Sequence, residues 1–263
     1  MVSIAFLGSH PLGVACLRRL ANSSDISVDV VCTYPPDHEG WWDGSVYDLA
    51  TELGYPTHTI EDEQRLQEYP VEYLISVYYP NILGSELLAH PERGALNLHQ
   101  AELPRYRGSN VFSHAIMNAR PDDHWRQGTT LHFIAENVDA GDIVDRRFVP
   151  ITEEDTARTL AERIKGRSIE LFEEALSAIV SGAIDDMGTP QREFDGERYF
   201  YSKDSLDDLK AIPIDVLTDS DPDREAAVYD RIRALDFPPF EPAYTIVNDR
   251  QVYLTATSYE ELF

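Results

Sequence analysis

Lysine is scarce in this chain, and basic residues as a whole are few. Three lysines occur, Lys165, Lys203 and Lys210, and 22 basic residues stand against 47 acidic ones, for a formal net charge of −25. A surface this negative repels phosphate backbones, which disfavours a nucleic-acid partner. The acidity is typical of a halophilic surface adapted to high salt, where screening would weaken that repulsion, or of an ordinary acidic protein. Composition leaves both interpretations open.

Cysteines and long apolar runs are also rare. Cys16 and Cys32 lie in apolar surroundings without a metal-site spacing, so we expect buried free thiols. No apolar run approaches the roughly 18 residues that a membrane span needs. The first residues, which begin with an apolar run, lack the basic region of a signal peptide. We therefore expect a soluble, cytoplasmic protein without a membrane partner.

Short apolar runs alternate with amphipathic stretches over most of the chain. The 43% hydrophobic and 26% charged residues are typical of a globular protein. Strands that alternate with helices predict an α/β fold, a mostly parallel open sheet with helices on both faces. Strands are predicted at 2–7, 27–32, 73–77, 95–98, 129–135 and 143–148, and helices at 11–21, 45–53, 85–89, 156–181 and 223–235.

The regular alternation of apolar and amphipathic stretches ends after the long helix that stops at Gly182. Residues 185–195 are loop-like, and short pieces follow, with an aromatic run, a proline-rich turn and a final hairpin around Asn248 and Asp249. We therefore divide the chain into an α/β domain at 1–185 and a small mixed segment at 186–263.

The first strand–helix junction invites comparison with dinucleotide-binding turns. It runs from Gly8 to Gly13, but position 10 is histidine and position 11 is proline. The G-x-G-x-x-G pattern is therefore absent. We predict instead that Gly8 makes a tight turn and that Pro11 begins the helix.

Two polar residues follow an apolar run at 95–98. Asn97 and His99 are two positions apart, so their side chains point to the same side of an extended chain. The carboxyl end of a strand in an open α/β sheet is where ligands bind. Taken singly, Asn97 could be a turn residue and His99 a core imidazole.

A second motif covers residues 128–143. Asp139 precedes Ala140 and Gly141 between two predicted strands, where the backbone positions its carboxylate. An Asx turn is the structural alternative for Asp139, and it is the preferred interpretation of Asp142.

The two motifs together resemble the folate-dependent formyltransferase family. The pattern N-x-H-x-x-x-L-P-x-Y-R-G is followed by G-x-T-x-H and D-x-G-D-I, and the resemblance covers roughly the first 180 residues. It implies a Rossmann-like catalytic domain at 1–185 and a formyl donor of the 10-formyltetrahydrofolate type. The family's catalytic residues fall on Asn97, His99 and Asp139. Ala101-Glu102 replaces the family's usual Ser-Leu beside the acceptor site.

These three residue types suit formyl transfer to an amine. The attack creates an oxyanion, to which the Asn97 amide can donate a hydrogen bond. His99 can accept the amine's proton or stabilise the oxyanion as imidazolium. Asp139 can fix the imidazole's charge state or relay protons. No metal is required, and no cluster of ligand residues indicates one.

The resemblance also places the donor pocket. It implies that the pterin is held by the loop after the fourth strand, with a second loop as the opposite wall. The first loop contributes Tyr79, Pro80, Asn81, Ile82 and Leu83, and the second contributes Ala135, Glu136, Asn137 and Val138. The alternative for Tyr79 and the preceding Tyr78 is that they are ordinary half-buried core aromatics.

The acceptor residues are the third set. Arg198–Leu206 and Arg231–Tyr244 look like segments of stand-alone sugar N-formyltransferases, which act on nucleotide-linked amino sugars. Basic residues beside aromatics can hold a pyrophosphate and a base, although Arg233 could simply cap a helix. The residues predicted to bind the acceptor are Tyr106, Arg107, Gly108, Tyr199, Tyr201 and Lys203. By analogy, 186–263 also supports a homodimer.

Four alternatives remain within this resemblance. Methionyl-tRNA formyltransferase is the first, but it needs a positive surface and usually a longer carboxy-terminal domain. Glycinamide ribonucleotide formyltransferase lacks the appended segment. A formyltetrahydrofolate hydrolase would use the same three residues to activate water. A non-catalytic folate- or nucleotide-binding relative would not need all three.

Overall fold

The computed structural model describes residues 1–257, and the chain forms two compact units made of separate stretches. Unit 1 comprises Met1–Pro104, Thr129–Arg147 and Lys165–Gly196. Unit 2 comprises Arg105–Gly128, Phe148–Ile164 and the chain from Glu197 onward. The division into functional parts at 1–185 and 186–263 stays a prediction.

The predicted strands and helices are present in the predicted order, and short elements that were not predicted, such as those at Thr57–Thr59 and Ile214–Leu217, lie between them. The strands are β1 (Val2–Gly8), β2 (Ile26–Thr33), β3 (Thr57–Thr59), β4 (Tyr73–Val77), β5 (Gly94–His99), β6 (Tyr106–Gly108), β7 (Arg126–Phe133), β8 (Ile143–Pro150), β9 (Tyr199–Tyr201), β10 (Ala243–Val247) and β11 (Arg250–Leu254). The helices are α1 (His10–Ala21), α2 (Val46–Glu52), α3 (Ser85–Leu88), α4 (Val111–Ala119), α5 (Ala157–Ser181), α6 (Ile214–Leu217) and α7 (Pro222–Ala234).

Seven strands form one sheet in the order β3-β2-β1-β4-β5-β7-β8. The pairs from β3 to β5 are parallel, and β7 runs antiparallel to β5. This confirms the predicted α/β fold with a mostly parallel sheet. The predicted hairpin at Asn248 and Asp249 is the antiparallel pair β10–β11.

The core of unit 1 lies on both faces of this sheet. In β1, Ile4 and Phe6 belong to a cluster covered by α1, α2 and α5. Ala5 and Leu7 belong to a second cluster, which α3 and the 3-10 segment Ile60–Glu68 cover. Successive strand residues point to opposite faces, so burial on both faces requires the continuous apolar runs seen in the sequence.

Helix α4, the short strands β6 and β9, and the 3-10 segments were not predicted from the sequence. Most of α4 is buried, including polar Ser113 and His114, so it lacks the polar stripe that marks a surface helix. The stretch 185–195, predicted as a loop, contains a 3-10 turn at Gln191–Glu193.

Unit 2 is organised around a buried arginine. Arg233 on α7 is fully buried, and its Nε donates to Asp230 at 2.9 Å. Its Nη1 donates to the carbonyls of Thr152 and Asp155, each at 2.9 Å. These contacts make Arg233 a structural residue, because a guanidinium that is buried and bound in this way has no surface left for a ligand.

Membrane-spanning helices and metal-ligand clusters were searched for in the part of the chain that the structure describes. Among residues 1–257, no helix is long and apolar enough to cross a membrane. In the same described part of the chain, no three His, Cys, Asp or Glu side chains are grouped as metal ligands. Both cysteines are buried and free, as predicted.

Candidate active site

Asn97 and His99 lie at the carboxyl end of β5, as their position after the apolar run predicted. The register pairs Ser76 of β4 with Asn97 and Val77 with Leu98, so β5 reaches one residue further than its parallel neighbour. Both polar residues are half-buried. Thr129 fixes the strand end by donating to the His99 carbonyl at 3.2 Å. Their two-residue spacing places both side chains on one face of the sheet.

A second histidine lies opposite Asn97. The antiparallel register of β5 and β7 pairs Asn97 with His132, and Asn97 Nδ2 is 3.2 Å from His132 Nε2. His132 Nδ1 is 2.7 Å from the Phe133 carbonyl. A carbonyl only accepts, so Nδ1 carries the proton and Nε2 accepts from the amide. His132 thus orients the amide of Asn97.

Asp139 lies in the loop after β7, close to both imidazoles. Its Oδ2 is 3.6 Å from His99 Nε2, and its Oδ1 is 3.7 Å from His132 Nε2. At 3.6 Å the carboxylate would stabilise positive charge that develops on the His99 ring. A small adjustment would close a hydrogen bond between them, as is common when such groups tighten around a substrate. The structure therefore brings Asn97, His99 and Asp139 into one cluster.

Two residues of this cluster, His132 and Gln191, were not predicted as site residues from the sequence. His132 was noted only as part of a motif spacing, although it is 1% exposed and lies between Asn97 and Asp139. Gln191 was assigned to a loop, yet its side chain donates to the carbonyls of Asp139 and Gly141. The G-x-T-x-H motif could have indicated His132, whereas no local signal indicates Gln191.

The predicted donor loop is anchored by Glu63. The Tyr79 hydroxyl and the Asn81 amide each donate to Glu63 Oε2 at 2.8 Å. Burial raises the pKa of Tyr79, which keeps the hydroxyl protonated as a donor. Leu83 is buried and Ile82 is 76% exposed. Tyr79, Asn81 and Leu83 thus shape the loop, and Ile82 presents an apolar side chain at its surface.

The opposite loop is open to solvent. Ala135, Glu136 and Asn137 are exposed, and Val138 is half-buried. The Asn137 carbonyl accepts from the Ala140 backbone at 3.2 Å, which closes a turn around Asp139. Pro80, which belongs to the predicted donor loop at residues 79–83, is half-buried like Val138. Pterin contact by either loop stays a prediction.

The first strand–helix junction is occupied by aromatic rings. His10 stacks on Trp42 with ring centroids 3.5 Å apart and on Tyr78 at 4.3 Å. Burial, with a smaller contribution from His38, lowers the pKa of His10 to about 4. Helix α1 has Pro11 in its first turn, in agreement with the predicted start. A neutral imidazole packed between rings offers no cradle of backbone amides for a phosphate.

The predicted acceptor residues lie in unit 2, where β6 and β9 pair in parallel. Tyr106 pairs with Tyr199, and Gly108 pairs with Tyr201. Gly108 has φ of 85°, and a Cβ there would lie 2.1 Å from the Tyr201 carbonyl. Only glycine therefore permits this close pairing. Arg107, between them, is half-buried.

The tyrosines of this pair of strands are engaged in packing. Tyr106 is fully buried and stacks on Tyr199 with centroids 5.8 Å apart. The Tyr199 hydroxyl donates to Asp122 at 2.9 Å, and Tyr201 accepts from the Asn118 amide at 2.9 Å. The intervening Phe200 is 63% exposed, because neighbouring strand residues face opposite sides. Phe200, which is absent from the predicted acceptor residues, is thus the exposed aromatic side chain of β9.

The turn that carries Lys203 is fastened to α4. Asn110 Nδ2 lies 3.0 Å from the Lys203 carbonyl and 3.1 Å from Ser205 Oγ. His114 Nε2 is 2.8 Å from the same hydroxyl, and its ring stacks on Tyr201 at 3.4 Å with an interplanar angle of 3°. Lys203 itself is exposed. The turn therefore presents a cation at a fixed place on the surface of unit 2.

We expect His114 to make the stability of the protein depend on pH. Burial lowers its pKa to about 4, below the value near 6.5 of an unfolded histidine. The unfolded chain therefore binds the proton first, and the free energy of unfolding should fall as the pH drops from about 6.5 to about 4. In His114→Phe, which retains a stacked ring, thermal unfolding should show a shallower decline across that window. An unchanged slope would remove His114 as the cause.

The described site thus places an amide, an imidazole and a carboxylate at the carboxyl end of a strand in an open, mostly parallel sheet. In α/β enzymes this is the edge at which ligands bind. Comparison with known proteins gives the class more closely. A family model described as formyl transferase matches residues 50–176. Methionyl-tRNA formyltransferase of Listeria monocytogenes is 27% identical over 278 residues, spanning 99% of this chain and 80% of that protein. Residues 50–176 therefore resemble the formyl transferase family, and the chain is an enzyme of the formyltransferase type.

Solved structures share the fold over nearly the whole chain. A sugar N-formyltransferase from Shewanella sp FDAARGOS_354 has a TM-score of 0.74 at 20% identity, covering 97% of each chain. The N-formyltransferase of Helicobacter canadensis, solved with folinic acid and dTDP-3-aminofucose, has a TM-score of 0.72 at 19% identity. It covers 97% of this chain and 87% of that one.

Proposed function

We propose that this formyltransferase moves a formyl group from 10-formyltetrahydrofolate to the amine of a nucleotide-linked amino sugar. The observation that carries the proposal is the grouping of Asn97, His99 and Asp139 within unit 1, with Asp139 3.6 Å from His99. The fold match to sugar N-formyltransferases over 97% of the chain supports the choice of acceptor.

The reaction begins when the acceptor's amine nitrogen attacks the formyl carbon. A carbon–nitrogen bond forms, and the carbonyl electron pair moves to oxygen. One N–H of the Asn97 amide is directed at His132, and the second N–H of that amide donates to the oxyanion. A donor aimed where charge develops stabilises the transition state more than the substrate.

His99 acts as the general base and then as the general acid. The attacking nitrogen loses a proton to the imidazole, and Asp139 stabilises the resulting imidazolium. When the intermediate collapses, the bond between the formyl carbon and the folate nitrogen breaks. The folate nitrogen takes the proton from His99, so the products are the formamide and tetrahydrofolate, and the enzyme regains its starting protonation state.

The folate donor is held by two loops, the one that follows β4 and the one that follows β7. Tyr79, Pro80, Asn81, Ile82 and Leu83 form one wall, and Ala135, Glu136, Asn137 and Val138 form the other. Backbone donors and acceptors suit the edge of a flat heterocycle, and Ile82 offers apolar surface to its face. The folinic acid bound to the Helicobacter canadensis protein supports a folate donor.

The acceptor's nucleotide is held by residues of unit 2. Lys203 and Arg107 supply positive charge for a pyrophosphate, and Phe200 supplies a ring for stacking. Tyr106, Gly108, Tyr199 and Tyr201 hold β6 and β9 together and set the position of the turn. Tyr106, being fully buried, acts through packing.

Lys203→Ala should raise the acceptor KM about 10-fold or more, because a charge-assisted hydrogen bond is lost, with kcat and the donor KM little changed. Tyr201→Ala should act in the same direction by loosening the turn. Lys165→Ala, which removes a lysine from α5, is the matched control. Steady-state kinetics with the donor saturating tests this, and an unchanged acceptor KM in both variants would remove the turn from the acceptor site.

Methionyl-tRNA is the second candidate acceptor, because the Listeria monocytogenes relative with 27% identity is named methionyl-tRNA formyltransferase. The net charge of −25 opposes binding of a polyanion. Release of formate to water is the third possible outcome.

The experiment is formyl transfer from 10-formyltetrahydrofolate at low and high salt, with dTDP- and UDP-linked amino sugars, methionyl-tRNA, or no acceptor. Turnover with an amino sugar alone supports the proposal. Turnover with charged tRNA alone, or without any acceptor, contradicts it.

A further inference from the structure

The loop that carries Asp139 adopts a strained backbone. Asp139 has φ of 50°, in the left-handed region that residues with a Cβ seldom occupy. Such a conformation persists only when surrounding contacts impose it. Two positions further on, a Cβ on Gly141 would lie 1.9 Å from the Phe133 carbonyl, so the loop passes directly over the end of β7.

One buried side chain holds this loop on both sides of Ala140. Gln191 Nε2 donates to the Asp139 carbonyl at 2.8 Å and to the Gly141 carbonyl at 2.8 Å. A primary amide has two N–H groups, and here each is used for one carbonyl. Gln191 is 5% exposed, so solvent competes little with these bonds.

Gln191 is itself fixed by its neighbours in unit 1. Thr189 and Ile143 exchange backbone hydrogen bonds of 2.9 and 2.8 Å, which join the segment to β8. The 3-10 turn closes with a bond from Phe194 to the Gln191 carbonyl at 3.2 Å. The Arg146 guanidinium lies over the Phe194 ring at 4.2 Å. The amide is therefore held at a set position before any substrate binds.

We infer that Gln191 is a positioning residue for formyl transfer, which holds Asp139 in the left-handed conformation that directs its carboxylate toward His99 and His132. The inference rests on the proposed role of Asp139. The carboxylate lies 3.6 and 3.7 Å from the two imidazoles, so a shift of about 1 Å would remove much of its effect on a developing imidazolium.

Gln191→Met tests the inference, because methionine has a similar length and no N–H donor. We expect kcat to fall about 10- to 100-fold, as expected for a misplaced catalytic group, with little change in the KM of donor or acceptor. Gln191→Glu is the second variant, since its carboxylate would face two carbonyls and should lower kcat at least as much. Gln251→Met, at an exposed glutamine bound to Glu241, is the matched control and should retain wild-type turnover.

A double-mutant cycle with Asp139→Asn separates positioning from a general loss of structure. If Gln191 acts through Asp139, Gln191→Met should cost little further turnover once Asp139 has become asparagine. Losses that multiply, or Gln191 variants with wild-type kcat, would overturn the inference. Wild-type turnover in Asp139→Asn alone would instead overturn the proposed catalytic role of Asp139. Circular dichroism and thermal unfolding identify variants that fold.

Discussion

His99→Ala should lower kcat by about 10²- to 10⁴-fold, the usual contribution of a positioned acid–base group. In the proposed reaction the imidazole takes a proton from the acceptor's amine and returns one to the folate nitrogen. The neighbouring His132 does not take that role in the proposed reaction, since it accepts from Asn97 and donates to the Phe133 carbonyl. Turnover is measured with both substrates saturating.

The control for this variant is His90→Ala. His90 is a half-buried histidine of unit 1 that contacts the Tyr69 carbonyl at 2.8 Å, and it has no place in the proposed chemistry. Its loss should leave kcat near the wild-type value. A folded His99→Ala enzyme with wild-type turnover would show that proton transfer does not pass through His99.

Asn97→Ala should lower kcat by about 10²- to 10³-fold, the cost of removing one oxyanion donor. Both KM values should change little, because the interaction forms in the transition state. Asn97→Asp keeps the shape but exchanges the donor for a negative charge, so it should be at least as slow. Asn22→Ala, at an exposed asparagine after α1, is the control. A folded Asn97→Ala enzyme that lost only substrate affinity would assign Asn97 to binding.

The regular pattern of the sequence predicted most of unit 1. The apolar run of β1 is buried on both faces, as in any parallel strand covered by helices. The two-residue spacing of Asn97 and His99 put both at one face of a strand end. These features depend on local periodicity, which the sequence displays directly.

His132 and Gln191 depend on distant pairing instead. His132 lies opposite Asn97 because β7 runs antiparallel beside β5, and the sequence contains no sign of that direction. Gln191 contacts the carbonyl of Asp139, 52 positions earlier. Every residue has a backbone carbonyl, so the sequence does not indicate which carbonyl the Gln191 side chain binds.

The acceptor residues show a third limit. Aromatic composition drew attention to Tyr199 and Tyr201, but pairing with β6 decides which side chains of β9 are exposed. Both tyrosines pack within unit 2, and Phe200 is exposed. Since β9 is only three residues long, its alternation is too short to recognise in the sequence.

The most direct test is mass spectrometry of a dTDP-linked amino sugar incubated with 10-formyltetrahydrofolate and either the wild-type enzyme or Asn97→Ala. We predict that the wild-type product gains the mass of one carbonyl group at its amine, with tetrahydrofolate formed in equal amount, and that Asn97→Ala yields far less in the same time. Formate release with an unmodified sugar, or formylation of methionyl-tRNA in its place, would contradict the proposed function.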